Sequence, residues 1–111
     1  SSTMAPSIMG APEKPELGEE LTNSFCRTDP DIARHFARVT FLADHRNELA
    51  LVTTPTLIIQ SDDDLLAPVC VGEYMQRAIR GSKLAIVENI GHCPHLSAPG
   101  ASVDAMEGFL R

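Results

Sequence analysis

Leucine and phenylalanine recur every fourth residue in the stretch PELGEELTNSFCR, at Leu17, Leu21 and Phe25, and acidic residues crowd its start. That spacing predicts an amphipathic helix over Pro15–Arg27, with early carboxylates complementing the helix dipole. Gly18 weakens it. Next come Thr28, Asp29 and Pro30, a side-chain cap followed by proline in the first turn, and then an apolar stripe at Ile32, Phe36 and Val39, so a second helix is expected. A shorter helix or turn is expected at residues 44–51. Before all of these, residues 1–14 combine turn-forming Pro6, Gly10 and Pro12 with no apolar period and read as loop.

The character changes after Pro55. Residues 56–60, TLIIQ, form a short β-rich apolar run of the kind found in a strand buried on both faces, so an interior strand is expected. Pro68 opens a helix with Val71, Met75 and Ile79 along one side, flanked by Tyr74 and Ala78, and ending at Arg80 and Gly81. Residues 83–88, KLAIVE, predict a second strand. Val103, Met106 and Leu110 place a last helix at residues 101–111. Helices followed by strand, helix, strand, helix point to an α/β fold ending in a parallel β-α-β-α unit.

Composition narrows the setting. With 111 residues, 43% hydrophobic and 22% charged, the chain has the make-up of an ordinary folded domain with one core. A net charge of −6 argues against nucleic acid and anionic membranes as partners, because both reward a basic patch. No apolar run approaches the ~18 residues that span a bilayer. The three cysteines, Cys26, Cys70 and Cys93, are odd in number and lack paired spacing, which fits a reducing cytoplasm better than a disulfide scaffold.

In parallel sheets, ligands and catalytic groups gather beyond the carboxyl ends of the strands. Two such places exist: Ser61, Asp62, Asp63 and Asp64 after the first strand, and Asn89, Ile90, Gly91 and His92 after the second. Adjacent parallel strands bring an acid and an imidazole together there. A carboxylate that orients one ring nitrogen leaves the other able to take a proton from a hydroxyl. The plainer readings stand beside this one. An acidic run is more often a solvated turn, which is the reading kept for Asp62 and Asp63, and His95 is read as structural. His92, Cys93 and His95 do not suffice for zinc, which takes about four ligands, so neither metal nor cofactor is expected. Phe25, Phe36, Phe41 and Met75 are candidates for a ligand pocket, although apolar residues at helical spacing usually form core.

The segments TPTLIIQSDDDLLAP, GHCPHLSAP and CRTDPDIARHFARVTFLADHRNEL resemble the C-terminal part of bacterial RsbQ-type stress-regulatory hydrolases and of the related plant karrikin and strigolactone receptors. The likeness runs from about residue 15 to the end. It implies a partial α/β-hydrolase fold, with residues 1–50 as part of a helical cap and 51–111 as the C-terminal β-α-β-α portion of the core. It also places the catalytic acid on Asp64 and the histidine on His92, and implies a small hydrophobic ester-like or lactone-like ligand for the complete protein. The family's nucleophile sits in a G-x-S-x-G elbow. That motif does not occur in these residues, and none of Ser1, Ser2, Ser7, Ser61, Ser82, Ser97 and Ser102 is flanked by both elbow glycines.

Two functions are therefore weighed. In one, the chain is the acid-and-histidine portion of a serine hydrolase and is inactive alone, its partner being the missing N-terminal portion. In the other, it is a non-enzymatic, self-assembling or partner-binding module derived from the same fold. Either way, surfaces left uncovered by a missing portion favour an oligomer or a complex.

Overall fold

A computed structural model describes residues 4–111 of the chain; Ser1 and Ser2, part of the expected loop and of the serines considered above, lie outside the described residues. The elements are α1 (Met4–Met9), α2 (Pro15–Arg27), α3 (Pro30–Leu42), a 3₁₀ turn (Arg46–Leu51), β1 (Leu57–Asp63), α4 (Val69–Ala78), β2 (Lys83–Ile90), α5 (Pro94–Ser97) and α6 (Pro99–Leu110).

β1 and β2 form a parallel pair, with Leu57 beside Lys83, Ile59 beside Ala85 and Ser61 beside Val87. The register then shifts, so that Asp63 pairs with Ile90. α4 crosses between the strands and packs on both. Its contact face is set by Gly72: a Cβ there would come within 2.9 Å of the Gln60 side chain and 3.1 Å of Leu84. Of the residues expected along one side of this helix, Ile79 is buried while Val71 and Tyr74 are exposed, and with Leu49 and Met75 these two line a groove between α4 and the 3₁₀ turn. Of the residues expected to line a ligand pocket, Met75 alone borders this groove. The hydroxyl-free core is small: Ala5, Met9, Ala11, Ile58, Ile79 and Val87.

Several expectations are corrected. The loop expected at residues 1–14 contains α1, a helix too short to display a period, whose Ala5 and Met9 are buried. Gly18, which weakens α2 by propensity, lets α1 approach closely, since a Cβ there would sit 3.3 Å from the Pro6 Cα. The first strand continues through Ser61, Asp62 and Asp63. It is not interior here, because β2 is its neighbour on one side and the described residues supply none on the other. The last helix starts at Pro99, and its stripe of Val103, Met106 and Leu110 faces outward while Ser102 is buried.

α3 is capped as its sequence suggests: the Asp29 carboxylate accepts the N–H groups of Asp31 and Ile32 at 2.9 and 3.2 Å. Its stripe is nevertheless uncovered, with Ile32 65% and Phe36 71% exposed.

Candidate functional site: a carboxylate and an imidazole at adjacent strand ends

The loop after β1 is closed by its own side chains. Buried Gln60 donates from Nε2 to the carbonyls of Ser61 and Ala67, at 2.9 and 2.8 Å, pinning both ends of the loop that carries Asp64. Asp64 Oδ1 accepts the backbone N–H groups of Leu66 and Ala67 at 2.8 and 3.1 Å. This aspartate turn fixes the carboxylate and aims Oδ2 outward from the loop.

The loop after β2 is held from two directions. At the register shift, where β2 carries one residue more than β1, the Asp62 side chain accepts the Asn89 N–H at 2.9 Å. The Gly91 N–H then donates to the Asp63 carbonyl at 2.8 Å. Gly91 adopts φ +132°, a conformation open to glycine, and the chain turns there to present His92. From the other side, the last turn of α1 supplies the Ile8 carbonyl to the His92 N–H, and the segment after it the Ala11 N–H to the Ile90 carbonyl, at 2.8 and 2.6 Å.

The two loops meet where β1 and β2 end. His92 Nδ1 lies 2.7 Å from Asp64 Oδ2, and the Asp64 side chain is only 5% exposed while that of His92 is 43% exposed. An ionised carboxylate only accepts, so Nδ1 is the donor and Nε2 of the neutral ring carries the lone pair. Burial works to raise the Asp64 pKa, but the Ala67 N–H, the His92 ring and the Leu66 N–H together outweigh it and hold the carboxyl below its usual value. Next to the pair, burial and the Asp64 charge push the Cys93 thiol up, which keeps it protonated and a poor nucleophile.

The remaining sequence candidates fall elsewhere. Asp63 uses its backbone in the ladder and Asp62 serves as the Asn89 partner just described. His95 is exposed on α5. Ser102 is buried and donates to the Ala98 carbonyl at 3.0 Å, as an interior helix serine does. Asn89, Ser61 and Ser97, separate in the sequence pattern, form a buried polar cluster. The available signal was an amide in an apolar strand.

The chain matches no protein-family model. It is 35% identical over 99 residues to a probable esterase of Oryza sativa subsp. japonica, covering 88% of this chain and 36% of that protein. It is 34% identical over 103 residues to a karrikin insensitive 2 receptor of Petunia hybrida, covering 92% of this chain and 38% of the receptor. Among solved structures, a hydrolase from Oleispira antarctica superposes with a TM-score of 0.90 at 42% identity, over 96% of this chain and 39% of that one. The chain thus spans under two fifths of the length of these relatives. A parallel β-α-β unit, an acid and a histidine at its strand ends, and relatives of this kind identify the chain as a member of the α/β-hydrolases, matching their C-terminal part.

Proposed function

We propose that this chain supplies the acid and the histidine of a serine hydrolase triad, with Asp64 orienting His92 and His92 acting as general base. The observation that carries the reading is the 2.7 Å bond from the His92 ring to a nearly buried carboxylate across two strand ends. The serine and its oxyanion hole belong to an N-terminal portion beyond these 111 residues. As the serine oxygen attacks the carbonyl of an ester or lactone, Nε2 takes its proton. Asp64 stabilises the imidazolium that forms, and the same proton passes to the departing alkoxide. Water then repeats the sequence on the acyl-enzyme and restores the serine.

The substrate class is a small hydrophobic ester or lactone, and a sensing role for such a molecule is included. The support is that one relative is named a probable esterase and another a karrikin insensitive 2 receptor. In this reading the protein is of the RsbQ type and cytoplasmic, residues 1–50 contribute to the cap and 51–111 to the core. Alone, the chain lacks the groups that act together with the pair and is inactive.

A second reading is favoured by the uncovered stripe on α3: the chain assembles with copies of itself or with a partner and has no catalytic task. One experiment separates the two. A chimera is built in which this chain replaces the matching part of the Oleispira antarctica hydrolase, and hydrolysis of a short activated ester is followed. Turnover that falls by on the order of a thousandfold or more in His92→Ala and Asp64→Ala supports the triad. A folded chimera whose turnover ignores both substitutions refutes it.

A further inference from the structure

Along β2, Val87 and Asn89 are buried while Ile86, Glu88 and Ile90 are exposed. Asn89 therefore occupies a core-facing position, where an amide is costly unless every polar atom is partnered. Every one is. Nδ2 donates to Ser61 Oγ at 3.0 Å and to the Gly91 carbonyl at 3.1 Å, and Oδ1 accepts from Ser97 Oγ at 2.6 Å. The three partners sit on three different segments: the end of β1 that leads into Asp64, the residue before His92, and α5.

The bond to Gly91 has a particular consequence. The Gly91 carbonyl and the His92 N–H belong to one peptide plane, and that plane is held at its oxygen by Asn89 and at its nitrogen by the Ile8 carbonyl. Gly91 stands at φ +132°, a conformation with little intrinsic preference to hold it, so the two bonds set the direction in which His92 leaves the strand. Through Ser61, the same amide ties that plane to the strand carrying Asp64.

We propose that Asn89 is a positioning residue, whose amide sets the registry between the Asp64 loop and the His92 loop and so the hydrogen bond between them. The inference rests on the reading of Asp64 and His92 as acid and base. Asn89 touches neither side chain; it acts through the Gly91–His92 peptide and Ser61.

The test is ¹H–¹⁵N NMR of the 111-residue chain, following the ring Nδ1 proton of His92. A hydrogen bond to a carboxylate moves this proton strongly downfield and slows its exchange with water. In the unsubstituted chain the signal is present, and Asp64→Asn removes it. Asn89→Asp keeps the volume and the acceptor for Ser97 but places an oxygen against the Gly91 carbonyl; it is expected to lose the signal. Asn89→Ala, which adds no charge, serves as a second variant and gives the same loss, with circular dichroism reporting that the fold is retained. Glu88→Gln, on the exposed face of the same strand, leaves the signal in place. A signal abolished by Asp64→Asn yet unchanged in both Asn89 variants overturns the positioning role and leaves the pair standing. A signal that survives Asp64→Asn refutes the pair itself, and the inference with it.

Discussion

The backbone carbonyl of Ile8 accepts the N–H of His92 at 2.8 Å, joining the last turn of α1 directly to the residue proposed as base. The contact is possible because two glycines cross there. A Cβ on Gly10 would run into the Ile90 carbonyl, and one on Gly91 into the Met9 carbonyl; both residues have positive φ. Removing the side chain at both positions lets two backbones approach to hydrogen-bonding distance.

Gly91→Ala combines a left-handed conformation with a backbone collision and is expected to destabilise the chain by more than about 2 kcal/mol. Gly81→Ala is the control, since Gly81 has φ +74° but nothing within 4 Å of the added methyl. Its expected loss is smaller, about 1 kcal/mol from backbone strain alone. Urea titration of the three proteins measures both, and equal losses would show that the crossing does not constrain Gly91.

The pair also makes a statement about acid. Asp64 is held below its usual pKa in the folded chain, so the unfolded chain binds protons more readily there. Its contribution to stability is present above the unfolded value of about 3.9 and disappears as pH falls through the folded value. Asp64→Asn should therefore be less stable than the unsubstituted chain at pH 7, by about 1 to 3 kcal/mol, with the difference shrinking below about pH 4. Urea midpoints across that range check it, and a difference that stays constant on acidification would contradict it.

Much of the fold was legible because local chemistry and tertiary structure agree at particular residues. Asp29 before Pro30 announces a capped helix, and the cap forms. The apolar run before Asp64 and the run before His92 become the paired strands whose ends carry these two residues. What was not legible depends on contacts between distant segments. α1 spans six residues and is buried through Ala5 and Met9 alone, too few positions to leave a periodic mark. The facing of α4 and α6 was not legible for a related reason. Periodicity identifies an apolar stripe but not which part of it is covered: on α4 Ile79 is buried and Gly72 meets the Gln60 and Leu84 side chains while Val71 stays exposed, and on α6 Ser102 is buried while Val103 stays exposed. The bonding role of Asn89 was not legible because Ser61 and Ser97, two of its three partners, come from other elements that no local pattern links to it.

The exposed stripe of α3 and the edge of β1, unpaired among the described residues, lead to a prediction about assembly. Apolar residues such as Ile32, Phe36 and Val39 are each more than half exposed. A two-stranded sheet alone is also marginal. The chain is expected to form a homodimer or larger oligomer at micromolar concentration, or to bind the N-terminal portion of a hydrolase when that is supplied. Light scattering coupled to size exclusion measures the mass. Ile32→Ser with Phe36→Ser should shift it toward 12.0 kDa, and a folded monomer of the unsubstituted chain would contradict the prediction.

Without a nucleophile elbow, the chain by itself should hydrolyse a short activated ester no faster than its Asp64→Ala, His92→Ala double variant. A rapid-mixing assay with enough chain to see a single turnover checks this. A burst of product that depends on Asp64 and His92 would mean that one of its own serines acts as nucleophile.

The central claim is that Asp64 and His92 work as one unit, and a double-mutant cycle on kcat/KM of the chimeric hydrolase measures it most directly. Groups that act together in catalysis are strongly non-additive. If His92 is the base and Asp64 acts only through it, Asp64→Asn slows the enzyme, His92→Ala slows it further, and combining the two adds little beyond His92→Ala alone. If the effects of the two substitutions instead multiply in the double variant, Asp64 and His92 contribute independently, and the 2.7 Å bond between them is not the acid–base pair of this enzyme.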